Sequence, residues 1–236
     1  MKRLLVLLFV ILCAFAFSQE TPVPNARVAA QAKFDGSTLV YSVGPIEVAA
    51  HTKAGAAGSK FEAETTIPEE GWLVGLGESP VVHNATDATV KPRVELWNAS
   101  RGDVLCSGRD ERIAMYFPGA PRWPSLEGHG YHVRKNDRVR VTVEIDNPGD
   151  APFQADDIMV SLTLQPINTG AVRQDVWPLW FDTKGCGPSE YDLKPGANIS
   201  SGSFEMGVDG NLVAIQAALR KYGEEMLIQN HTRTED

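Results

Sequence analysis

Arg138-Val-Arg-Val-Thr-Val-Glu-Ile-Asp146 decides the fold class. Val139, Val141, Val143 and Ile145 recur at every second position, and Arg138, Arg140, Thr142 and Glu144 fill the places between. Successive side chains of an extended chain point to opposite faces, so this period predicts a half-buried strand of an antiparallel sheet. Asn147-Pro-Gly-Asp150 follows and ends it, because proline lacks the amide donor of a ladder and glycine accepts turn geometry.

Outward from this strand the same pattern returns. Ile158–Leu164 alternates, with Val160, Leu162 and Leu164 on the core face. Thr38–Val43, Phe61–Ile67, Trp72–Leu76, Arg93–Trp97, Arg112–Phe117 and Phe204–Val208 read as further short strands, punctuated by Gly, Pro and Asn. Many short strands with such punctuation predict an all-β protein, an antiparallel β-sandwich of jelly-roll-like form. Ala54–Gly58 reads as a loose loop. Pro166 to Asp175 is the expected boundary between a sandwich domain over 19–166 and a shorter unit over 176–230.

Residues 1–18 stand outside the fold. Lys2 and Arg3 precede an apolar run from Leu4 to Phe15, and Ala16-Phe-Ser18 supplies small residues for cleavage before Gln19. The run is shorter than a membrane span needs and has the flanks of a signal peptide, so the chain is expected to be exported. No second run of spanning length follows. The formal charge is −8 and falls by two when the signal leaves. An acidic chain is a poor partner for nucleic acid phosphates or an anionic membrane.

Cys13 leaves with the signal, and Cys106 and Cys186 remain. In an oxidising compartment these two are expected to form a disulfide, the alternative being two buried thiols. Asn84, Asn98, Asn198 and Asn230 each begin an Asn-x-Ser/Thr sequon and are expected as exposed glycosylation sites in a eukaryotic secretory route.

One run carries a resemblance. Val176-Trp-Pro-Leu-Trp-Phe-Asp182 is followed by Cys186-Gly-Pro-Ser189-Glu-Tyr191-Asp192, then Gly210-Asn-Leu-Val213, then Tyr222-Gly223. This order resembles the copper type II, ascorbate-dependent monooxygenase-like family, secreted β-sandwich proteins of the peptidylglycine hydroxylating monooxygenase type. The resemblance covers roughly 37–230. It implies a His-x-His pair where this chain has Ala218-Leu219-Arg220, and neither Ala218 nor Arg220 offers the imidazole or sulfur that copper takes. It implies a His-His pair on the strand Arg93-Val-Glu-Leu-Trp97, which holds none. It implies a histidine before Asn147, where Asp146 stands after a Gly128-His-Gly-Tyr131 turn. The family continues into a second sandwich with a methionine ligand, so the resemblance implies an incomplete or reduced second β unit here. Leu212, Ile215, Leu219 and Tyr222 have helical spacing with Gly223 as a cap, whereas the resemblance implies a strand and turn, which is the reading preferred.

Candidate sites are few. His129 and His132 form the only local histidine pair, with Asp137 nearby, but residues three apart on a strand face opposite ways. His51, His83 and His231 are scattered. Trp177, Trp180 and Phe181 could form a sugar platform, and core packing is the preferred reading. Asp156-Asp157 is expected as a solvated loop rather than a calcium site. Ser189 lacks the Gly-x-Ser-x-Gly context of a serine hydrolase, and no phosphate-binding glycine loop occurs.

Three functions follow. The first is a secreted, non-catalytic β-sandwich protein with a binding or structural role, without catalytic residues or cofactor, and with an unknown extracellular ligand or protein as partner. The second is a copper-dependent monooxygenase with rearranged ligands drawn from His129, His132 and Met206. The third is an extracellular carbohydrate-binding module using the tryptophans. The first is the expectation carried forward.

Overall fold

The strand at Arg138 lies mid-sheet, and its register shows why the alternation is so regular. The computed structural model describes residues 26–118, 127–170, 172, 174–181, 186, 194–215 and 223–229. Among these the chain forms fourteen strands: β1 (Ala26–Arg27), β2 (Ala29–Phe34), β3 (Thr38–Gly44), β4 (Ile46–Val48), β5 (Lys60–Thr66), β6 (Gly71–Leu76) and β7 (Val81–His83), then β8 (Arg93–Gly102), β9 (Asp110–Tyr116), β10 (His129–Val133), β11 (Arg138–Glu144), β12 (Phe153–Ala155), β13 (Asp157–Pro166) and β14 (Gln174–Asp175). The fold is all-β, a sandwich of two main sheets.

The first sheet runs β1-β5-β11-β8-β9 and the second β14-β10-β6-β13-β3-β2, with β7 also pairing β13. A small β12-β4 ladder completes the set. Nearly all pairings are antiparallel, and only β1 on β5 and β14 on β10 are parallel. Val139, Val141 and Val143 of β11 are fully buried and meet Val160, Leu162 and Leu164 of β13 in one core. Each such side chain contributes about 1.5–3 kcal/mol by leaving water, so this inner layer is the main source of stability.

Both open sides of the sandwich are crossed by chain. At one side β1 pairs with the first sheet and β2 with the second, so residues 26–34 step from sheet to sheet through the partly buried Val28. At the other side β14 pairs with β10, and Val176 donates to the Gly130 carbonyl at 3.0 Å. The chain then reaches β9 at Trp180 and is tied by the Cys106–Cys186 disulfide to the β8–β9 loop. Crossing segments of this kind cover edge strands that would otherwise present unpaired backbone.

Several expectations change. Phe204–Val208 carries no strand. Met206 and Val208 are exposed and find no ladder partner, and alternation without a partner strand leaves the backbone unpaired. Leu212–Ile215 likewise carry no strand, and the rest of that stretch, with Ala218-Leu219-Arg220, lies outside the described residues. Among the described residues past Asp175 no strand occurs. Gln174–Asp175 pair with β10 at the edge of the second sheet. Ala54–Gly58 is an exposed turn, in agreement with the loop expected there. Among the described residues no helix is long and apolar enough to cross a membrane, and residues 1–18 lie outside them.

Candidate binding groove

Strand register builds a row of side chains on the outer face of the first sheet. Arg140 of β11 pairs with Trp97 of β8, and Trp97 pairs with Arg112 of β9. Arg112 stands there because of a register shift between Leu96 and Trp97, which gives β9 one extra residue, Ile113. A bulge of this kind turns the following side chains by one position. It sends Arg112 outward beside Trp97 and Glu111 inward beside Asn98.

The outer row is a cation–π ladder. The Arg112 guanidinium lies 4.7 Å from the Trp97 ring and 5.1 Å from the Trp180 ring, and the Arg140 guanidinium lies 5.2 Å from Trp97. Guanidinium groups stack well on indole, with each contact worth about 0.5–2 kcal/mol according to desolvation. Trp180 also donates its indole N–H to the Arg112 carbonyl at 2.6 Å. Arg112 is consequently 4% exposed although its face of the sheet is the outer one.

Further along the same face Arg93 pairs with Glu95 at 2.6 Å and Glu144 at 3.6 Å. Arg140 pairs with Asp110 at 2.8 Å. Together with Trp97 and Thr142 these side chains line a groove of about 460 Å³. The groove can hold a small solute by charge-assisted hydrogen bonds, and it is open to solvent.

Directly behind it, on the inner face, lies a buried polar bridge between the two sheets. Tyr131 of β10 donates to Glu111 Oε2 at 2.5 Å and accepts from Asn98 Nδ2 at 2.9 Å. Asn98 also reaches Asp137 at 3.4 Å, and Asp137 accepts from the Arg134 amide at 2.9 Å, holding the turn into β11. Burial pushes the Glu111 carboxyl above its ordinary value, against the opposing pull of Tyr131 and Arg101. Burial, and next the Glu111 charge, raises the Tyr131 hydroxyl well above its ordinary range. Tyr131 therefore stays protonated and acts as the donor.

The sites anticipated from sequence fall elsewhere. His129 and His132 do not converge: His129 Nδ1 turns to the Glu127 carbonyl at 2.8 Å, whereas His132 meets Glu70 at 3.1 Å and stacks on Trp72. Among the described residues no three His, Cys, Asp or Glu side chains gather as a metal site. Asp146 is exposed and accepts from the Ala54 amide at 3.3 Å. Met206 is 45% exposed.

Asp156 is exposed in the bend before β13, as expected of a solvated loop, whereas Asp157 is the first residue of the strand. Asp157 accepts from Ser42 Oγ at 2.6 Å and Asp156 from Asn84 Nδ2 at 2.6 Å, so the two carboxylates serve different neighbours. Ser189 and Asn230 lie outside the described residues. Asn84 and Asn198 are exposed. Asn98 is fully buried with its amide nitrogen bonded, which leaves no room for a glycan in the folded chain. Trp180 packs on Arg112, as a packing role predicts, but Trp177 and Phe181 remain half-exposed.

The groove itself was missed in sequence because Asp110-Glu-Arg-Ile-Ala-Met-Tyr116 does not alternate. That break in period was the available signal of a bulge. Compared with known families and with curated proteins, the chain matches no family model and no curated protein.

Proposed function

We propose that the protein is an exported, non-catalytic β-sandwich module that binds a small extracellular ligand in the groove over Trp97. The groove carries this reading. It is open, of ligand size, and walled by charged side chains held on rigid strands. The signal-like residues 1–18 and the Cys106–Cys186 disulfide support export.

The resemblance to the copper monooxygenases fits a member without the metal chemistry. The strand on which the family's histidine pair is implied supplies Arg93, Glu95 and Trp97 to the groove instead. A protein incubated with copper and ascorbate is expected to retain less than stoichiometric copper while staying folded. Stoichiometric copper lost in His129→Ala or His132→Ala would replace this reading with a copper-dependent oxygenase.

One observation favours a second reading. Trp177 is 50% and Phe181 43% exposed, and Phe181 meets Phe204 edge to face at 5.1 Å. An exposed aromatic pair can receive the apolar face of a sugar, as a carbohydrate-binding module would require. Quenching of tryptophan fluorescence by neutral glycans, abolished by Trp177→Ala, is the result that would select it.

A further inference from the structure

We propose that the groove over Trp97 recognises an oxyanion, a sulfate or carboxylate carried on a small sugar or organic acid. This inference rests on the groove being a binding site. Five cationic side chains, Lys60, Arg93, Arg109, Arg112 and Arg140, line it against three carboxylates. The chain as a whole carries −8, so the groove is a local reversal of sign. Low-dielectric walls focus such a field and raise the local concentration of the opposite charge.

Donor chemistry points the same way. A guanidinium carries five N–H groups and no acceptor, and an indole carries one donor only. Arg93 Nε, Arg140 Nε and Trp97 Nε1 are buried without an acceptor, although Arg93 and Arg140 each bond carboxylates through their terminal nitrogens. These three donors are closed to solvent, so an acceptor-rich ligand reaches them only when the side chains turn. Arg140 is 29% exposed at its side chain, so its fork can turn towards an arriving oxygen.

Stacking of a neutral sugar is disfavoured here. The Trp97 ring is flanked by Arg112 and Arg140 from the strand on each side, so its faces already hold guanidinium groups. Recognition at this position runs through N–H donors, and bidentate pairing of a planar fork with an oxyanion is the geometry they offer. The volume, about 460 Å³, suits a single acidic sugar ring or a compact organic acid.

The test is calorimetric titration of the mature full chain with glucuronate, glucosamine 6-sulfate, inorganic sulfate and glucose, at low and high salt. The acidic ligands are expected to bind, to weaken at high salt, and to lose about tenfold in affinity in Arg140→Gln. Lys60→Gln, an exposed position, provides a second variant if Arg140→Gln alters the fold. Free sulfate binding as well as the sugar sulfate assigns recognition to the oxyanion alone, and weaker binding of free sulfate adds the carrier to the recognised group. Glucose binding as tightly as glucuronate, unchanged in both variants, overturns the oxyanion and leaves the protein a binding module. No binding by any of the four overturns the inference together with the groove reading.

Discussion

Trp180 donates its indole N–H to the Arg112 carbonyl at 2.6 Å and stacks its ring 5.1 Å from the same residue's guanidinium. One side chain thus satisfies an acceptor on the edge strand β9 and covers a buried cation. It does so from a segment more than sixty residues away in sequence. Trp180→Ala is expected to cost about 1–3 kcal/mol, because the carbonyl and the guanidinium lose their cover together. Trp177→Ala, at a half-exposed position, is expected to fall within about 0.5 kcal/mol of the parent. Urea unfolding of both variants checks the contrast, and equal effects would remove the special role of Trp180.

The disulfide holds the same crossing segment by a covalent route. Cys106 and Cys186 are 80 residues apart. Replacing both by serine releases a loop of that length in the unfolded chain, at a cost of about 4 kcal/mol in the entropy model. Thermal unfolding with and without reductant measures it. A double serine variant as stable as the parent would mean that Trp180 and β14 alone hold the segment.

Glu111 makes stability depend on pH in a direction opposite to most carboxylates. Its folded value lies above the 4.5 of the free group because burial disfavours the charge. Between those two values the folded state keeps a proton that the unfolded state releases. The contribution is therefore in place below about pH 4.5 and is lost as pH rises through the folded value. Glu111→Gln removes the titration while keeping a hydrogen-bonding side chain at the position. The stability difference between parent and Glu111→Gln is expected to shift in favour of the parent on acidification from pH 7 towards pH 4. A difference that stays flat across denaturation series at those pH values would show that Glu111 titrates normally.

Asn98 separates sequon from site. Its amide bridges Tyr131 and Asp137 at zero exposure, whereas Asn198 is exposed. Secreted from a glycosylating host, the protein is expected to carry glycan at Asn198 and none at Asn98, read by peptide mass spectrometry. Asn98→Ala is expected to cost about 1–3 kcal/mol by leaving buried polar groups unpaired. Full occupancy at Asn98 in folded protein would contradict the buried bridge.

Much of the fold was legible because it is written locally. The period of two in 138–146 marked β11, and similar runs marked β3, β5, β6, β8 and β13, since alternation depends only on neighbours along the chain. Short pairings such as β4 with β12 and β7 with β13 left no such trace, because three residues are too few to show a period. Phe204–Val208 shows the converse error: an alternating stretch is no strand without a partner to bond.

By itself the sequence determined the fold class, the charge, and Cys106 and Cys186 as the expected disulfide pair. The tertiary structure decided where the chemistry sits. A single extra residue in β9 turned Arg112 out to Trp97 and Glu111 in to Tyr131, and the crossing segment brought Trp180 and Cys186 onto that edge. The reason is physical. Alternation is set by bonds between adjacent residues, whereas register, bulges and sheet closure are set by contacts between distant strands competing for the same core.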